Sequence, residues 1–223
     1  MSKVYILKTS DRATGVSRLL TPFNLSEFKG KKIALKANYN SADPFPASTH
    51  LDTLAAIVKE LRTAGASEIT LAERSGMGLT HEVLFKMGVQ KLSEQLGFSI
   101  VALDDPDERL WVRFDPSPNL HWKNGFWVAK VLKEADKVVQ TCCLKTHRFG
   151  GHFTLSLKNS IGLIARYGPK DGYNYMGELH SSKHQRLMIA EVNLAYSPSI
   201  IVMDGMDVFL KGGPEDGDRV SPG

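Results

Sequence analysis

The segment from Leu144 to Gly162 carries Lys145, His147, Arg148, His152 and Lys158 around a diglycine, Gly150-Gly151. Lysine and arginine neutralise anions, and histidine exchanges protons near neutral pH. A lysine whose pKa is lowered by burial can also form a Schiff base with a carbonyl compound. Glycines at such a point let a ligand approach the backbone closely. The segment directly follows Lys137-Val138-Val139-Gln140-Thr141-Cys142-Cys143, an apolar run that reads as a buried strand. These cations are therefore delivered to one strand end, which is where parallel-sheet proteins bind their ligands.

The other predicted strands end in the same way. Lys36 and Asn38 follow the first, Glu73, Arg74 and Ser75 the next, and Asp204 and Asp207 the last. Parallel strands share a direction, so these groups are expected along one edge of the sheet, lining a common cleft. In that cleft Lys145, Lys158 and Arg148 would hold negative charge, with Lys36, Asn38, Arg74 and Asn159 as further ligand contacts. His147, Lys158 and Glu73 are the candidates for proton transfer or nucleophilic work, and Asp204 with Glu73 for a divalent metal. The loop from Glu73 to Gly78 adds Gly76, whose N–H lies near the start of a predicted helix, although the spacing matches neither GxGxxG nor a P-loop. His180 and His184 have a four-residue metal-binding spacing, but Ser181 and Ser182 look like a helix cap that would leave His180 outside the helix.

The elements that must position these residues alternate. A short strand-like segment opens the chain at residues 1–8, and a strand follows at 31–38. After a long polar loop, Thr49 and Asp52 resemble a capping box for an amphipathic helix that stops at Gly65. A strand at 68–72, helices at 80–87 and 89–96, and a strand at 99–103 continue the pattern. Residues 106–125, with Trp111 and Trp122, read as an irregular, antiparallel flap. Helices are predicted at 126–135, 154–164 and 182–196, with strands at 137–143 and 199–203. The fold class is therefore α/β: a mostly parallel sheet with helices on both faces, a Rossmann-like three-layer sandwich in one domain spanning 1–223. The turn-rich stretch from Asp204 to Asp218 reads as a loop with no covering element after it. On that reading the chain is C-terminally truncated, with an exposed sheet edge and self-association.

Composition narrows the class. With 223 residues, 42% of them apolar, the chain can bury a substantial core. A net charge of +4, dispersed among acidic residues, gives no support to a nucleic-acid partner. No apolar run approaches the roughly 18 residues of a membrane span, and the first residues lack the core of a secretory signal. A cytoplasmic location follows as the expectation, in keeping with free thiols. Cys142 and Cys143, the two cysteines of the chain, are adjacent in a strand and point to opposite faces. They supply no zinc or iron–sulfur motif, so no cluster is expected to be ligated by this chain.

The segments Lys36-Ala37-Asn38-Tyr39-Asn40, Thr49-His50-Leu51-Asp52-Thr53-Leu54, Lys145-Thr146-His147, Leu157-Lys158-Asn159-Ser160-Ile161-Gly162 and Met203-Asp204-Gly205 resemble the bacterial and archaeal family of domain of unknown function 362. The resemblance implies the α/β fold and marks Lys36, Asn38, Lys145, His147, Lys158, Asn159 and Asp204 as shared positions. Many members of that family carry a ferredoxin-like module with clustered cysteines, which this chain does not, and continue past the Asp-Gly loop into further sheet. The leading expectation is an enzyme-like domain that binds a small anion, with a divalent metal as companion, at the C-terminal edge of its sheet. A redox-associated domain working with a separate iron–sulfur protein and a non-catalytic binding domain are the alternatives.

Overall fold

A computed structural model describes residues 3–104, 106–115, 117–149 and 152–222. Met1, Ser2, Asp105, Pro116, Gly223 and the Gly150-Gly151 pair noted in the sequence lie outside the described residues. Strands β1 (Lys32–Lys36), β2 (Glu68–Glu73), β3 (Ser99–Ala102), β6 (Lys137–His147) and β8 (Ile200–Gly212) form a parallel array. Its order is β3-β2-β1-β6-β8. Chain direction across the sheet reverses between β1 and β6, so the topological switch point lies there. Two antiparallel strands complete the sheet: β7 (His152–Thr154) on β6, and β9 (Gly217–Val220) on β8. Helix α2 (Leu51–Thr63) illustrates why the elements hold: Leu54, Ile57, Val58 and Leu61 recur at helical spacing and are all buried against Ile33, Leu35, Ile69 and Leu71 of the sheet.

Helices α1 (Arg12–Leu20), α2, α3 (Thr80–Lys86) and α4 (Val89–Leu96) cover that face. The other face is covered by α5 (Val131–Glu134), α7 (Tyr175–Ser181), α8 (Gln185–Val192) and a two-stranded hairpin, β4 (Trp111–Phe114) with β5 (Phe126–Ala129). The layer is thus partly sheet, and the helix expected over 126–135 is a strand followed by a single turn. Phe126, Trp127 and Val128 are bulky residues of good strand propensity, and pairing with β4 buries all three. The supposed flap is core: Trp122 is 1% exposed and its indole N–H donates to the Met188 carbonyl at 2.9 Å.

Several boundaries differ from the sequence reading. Residues 3–9 form no strand, because Val4 and Ile6 stay exposed and nothing pairs with them in the sheet. Helix α2 is capped by His50, whose Nδ1 accepts from the Asp52 N–H at 3.1 Å, while Thr49 Oγ1 instead accepts from the Asn38 N–H at 2.9 Å. The helix expected over 154–164 shortens to α6 (Ser156–Asn159) and a 3₁₀ turn, Ser160–Leu163. Of the helix expected over 182–196 only α8, at 185–192, forms; residues 182–184 separate it from α7, so His180 lies in the last turn of α7 and His184 occupies the N-cap position of α8. Strand β8 continues through Asp204 to Gly212 and turns back into β9, so 204–218 is a hairpin whose outer strand covers the distal half of β8.

Because Trp122 sits between Phe126 and Tyr175 in this second layer, Trp122→Ala is expected to cost about 3–5 kcal/mol by cavity formation and loss of its hydrogen bond. Urea unfolding checks this; a loss under about 1 kcal/mol would return the segment to the surface flap suggested by sequence.

Candidate functional site

At the end of β1, beside the switch point, lies a buried ion pair. Lys36 Nζ donates to Glu73 Oε1 at 2.5 Å, the two side chains being 2% and 1% exposed. The ammonium also donates to the Ala37 carbonyl and, at 3.0 Å, to Asn159 Oδ1. Glu73 accepts two backbone N–H groups, from Tyr39 and Arg74, each at 3.1 Å. Asn159 passes the network on by donating to the Thr141 carbonyl of β6 at 3.1 Å. Burial pulls the Lys36 pKa down and the Glu73 pKa up, against their mutual attraction. The short contact and the two backbone donors to Glu73 favour the ionised pair. Gly162 packs onto it so closely that a Cβ there would come within 2.9 Å of both Glu73 Oε1 and Lys36 Cε. That close approach is the physical reason for the glycine ending the Leu-Lys-Asn-Ser-Ile-Gly segment.

A second group, around the end of β6, has the opposite character. Lys145 is 5% exposed and its Nζ donates to the carbonyls of Ala47 and, at 3.0 Å, Pro214, with no carboxylate paired to it among the described residues. His147 is 8% exposed and its Nδ1 is buried without a hydrogen-bond partner among the described residues. Its ring stands edge-on to the exposed Phe149 ring, 5.8 Å between centroids. Lys158, in α6, is half-buried, and among the described residues its ammonium has neither a hydrogen bond nor an ion pair. Burial and then Lys145, Arg74 and Lys36 lower the Lys158 pKa to about 8. Burial and then Lys158 and Lys145 lower that of His147 to about 4, so its imidazole is neutral at pH 7. Burial also lowers the Lys145 pKa.

The remaining candidates are committed elsewhere. Arg74 donates to the carbonyls of Ile164 and Ile161 at 2.9 and 2.8 Å and pins the 3₁₀ turn to the sheet. Arg148 pairs with Glu215 and donates to the Gly213 carbonyl, with its guanidinium over Phe149. Asn38 donates to Ala47 and Cys143, and the Gly76 N–H donates to Asn40, which leaves neither free for an anion. Asp204 accepts from Arg12 at 2.8 Å, Thr53 Oγ1 at 2.5 Å and its own Met206 N–H at 3.1 Å. Glu73 and Asp204 are therefore each neutralised by a separate cation. Among the described residues no three His, Cys, Asp or Glu side chains are placed to hold a metal ion. The thiols of Cys142 and Cys143 are pushed up by burial to about 12 and 11, so both are protonated and inert at neutral pH.

Sequence reasoning missed Arg12, which closes over Asp204 and lies 4.5 Å above the Phe45 ring, because it precedes its partner by most of the chain. It also missed Tyr39, whose fully buried hydroxyl has no partner. No helix among the described residues is long and apolar enough to cross a membrane.

A Rossmann-like parallel sheet whose switch point carries one neutralised ion pair and one uncompensated cation cluster defines the class of protein. The chain belongs to the family described as domain of unknown function (DUF362), whose model matches residues 33–223. Among solved structures it is similar to the lactate racemase apoprotein from Thermoanaerobacterium thermosaccharolyticum, with a TM-score of 0.59 and 18% identity. The similarity covers 89% of this chain and 49% of that one, so this chain spans about half the length of its structural relative. At that identity the likeness concerns the mostly parallel fold. No curated protein matches the sequence.

The ion pair can be tested apart from any ligand. Lys36→Met should cost about 3–5 kcal/mol by stranding the Glu73 carboxylate, whereas Lys36→Met with Glu73→Leu should recover most of that loss. Denaturant unfolding of the two variants checks this; equal losses would mean that the charges themselves are required.

Proposed function

We propose that this protein binds a small anionic molecule at the end of β6, with Lys158 and Lys145 supplying the positive charge and His147 a neutral imidazole for proton transfer. The observation that carries this reading is the unpartnered ammonium of Lys158 among Lys145, Arg74 and Lys36. Gathering cations without compensating carboxylates destabilises a folded protein, and a bound anion offsets that repulsion. Position supports it too: this is the switch point of the sheet, where open α/β proteins take ligands. The ligand class is that of small carboxylates or phosphates, for which lysine is a point-charge partner. An enzymatic role is the reading we favour, since a lysine that releases its proton near neutral pH is an acid–base group suited to physiological conditions. Asp204 and Glu73 hold the frame around this site, and a divalent metal is not required by it.

Inorganic phosphate and simple carboxylates titrated by calorimetry are expected to bind the wild-type protein and to bind Lys158→Met roughly 10–100-fold more weakly, the equivalent of about 1.5–3 kcal/mol. Affinity should fall as pH rises through the Lys158 pKa of about 8, raised somewhat by the anion itself, because only the ammonium form attracts it. Without ligand, the same substitution should raise stability. The folded pKa of Lys158 lies below its unfolded value, so the protonated folded state carries a penalty that is complete below about pH 8 and relieved above it. Allowing for solvent screening, a gain of roughly 1 kcal/mol, or about 2–4 °C in Tm, is expected at pH 7. Unchanged anion affinity together with unchanged Tm would remove Lys158 from the site.

A further inference from the structure

We infer that the anion is a small carboxylate bearing an adjacent carbonyl, such as a 2-oxo acid, and that Lys158 Nζ attacks that carbonyl to form a covalent imine. This deepens the reading of the same site and rests on it. Three features of the geometry lead there. Lys158 lacks any hydrogen-bond acceptor or counter-ion among the described residues, so its nitrogen is not committed to structure. Lys145, held in place by the carbonyls of Ala47 and Pro214, forms no ion pair among the described residues, Asp43 acting on it only at a distance, and is the fixed charge for the substrate's carboxylate. His147 is more than nine-tenths buried with an unpartnered ring nitrogen, a proton carrier with no structural hydrogen bond at that atom to break. A site serving only as an anion cradle has no use for a neutral imidazole, which adds neither charge nor a strong donor.

Each step balances. The neutral amine of Lys158 forms a bond to the carbonyl carbon, the C=O π electrons move to oxygen, and one proton of the new ammonium passes through His147 to that oxygen to give the neutral carbinolamine. The nitrogen lone pair then forms the C=N bond as the C–O bond breaks, and the departing hydroxide takes the remaining N–H proton, again through His147. Both protons of the water thus come from the Lys158 nitrogen, so the products are the imine and one water, with no oxidant or reductant involved. Burial and then Lys145, Arg74 and Lys36 favour the amine form of Lys158 before substrate arrives. At pH 7 about one molecule in ten carries neutral Lys158, against fewer than about one in a thousand for an ordinary lysine.

The test is reductive trapping. The purified 223-residue protein is incubated with pyruvate or glyoxylate and cyanoborohydride, then examined by intact-mass spectrometry and peptide mapping. The expected result is one adduct per chain, located on Lys158, formed at least about tenfold faster than labelling of any other lysine and suppressed by inorganic phosphate. Propionaldehyde, which lacks the carboxylate, should label Lys158 at least about tenfold more slowly than glyoxylate. Lys158→Arg should abolish the specific adduct while retaining phosphate binding, because its charge remains. Labelling spread evenly over surface lysines, or a specific adduct on Lys145 instead, overturns the imine. Equal labelling by propionaldehyde overturns the role of the carboxylate. If phosphate binds in a Lys158-dependent manner and no adduct forms, the imine fails while the anion site stands; if neither is seen, both fail.

Discussion

The ion pair between Lys36 and Glu73 is the constraint on which the functional end of this molecule depends. Two charges have been removed from water at the ends of β1 and β2, and that is tolerable because all three ammonium protons and both carboxylate oxygens have hydrogen-bond partners. Supplying those partners fixes three other parts of the chain. The Tyr39 N–H sets the start of the loop after β1, Asn159 ties α6 to β6, and Gly162 brings the 3₁₀ turn down onto the pair. Helix α6 can therefore sit in one place only, and Lys158 is placed by the residue next to it in the sequence.

Around this neutral centre the electrostatics are one-sided. Arg74 is absorbed by the backbone of the 160–164 turn, Arg148 by Glu215 and Arg12 by Asp204. Among the described residues Lys145 and Lys158 form no ion pair with a carboxylate, and the two thiols nearby are held protonated by burial. The result is a local positive potential in a low-dielectric wall, which is stronger than the same charges would produce at an open surface.

The hairpin of β6 and β7 carries this arrangement beyond the parallel core. Register pairs Lys145 with Thr154 and His147 with His152, so the two histidines that flank the turn face each other across the ladder. His152 adopts a left-handed backbone, φ 56°, uncommon for a residue with a Cβ and found where local geometry is imposed by surroundings. Extension of β6 past Cys143 is what keeps Lys145 and His147 on a strand, held by pairing on both sides, instead of on a loose loop.

The sequence by itself determined the parallel α/β class and the α2 core face, because periodicity and helix stops are local properties. It also brought Lys36, Asn159, Lys145, His147 and Lys158 into view as a set. Element ends were less legible: β6 and β8 run on into polar residues because antiparallel neighbours satisfy their backbone, and a neighbouring strand is not a local signal. Phe126–Ala129 became strand for the same reason. Partner choice was decided by tertiary structure alone. Glu73 and Asp204 read alike as free carboxylates, yet each met its own cation, from 37 and 192 residues away. Arg148 and Lys158 read alike as free cations, yet Arg148 met Glu215 while Lys158 has no partner among the described residues. Charge type is written in the sequence, but whether a charge is neutralised depends on which distant group the fold sets beside it.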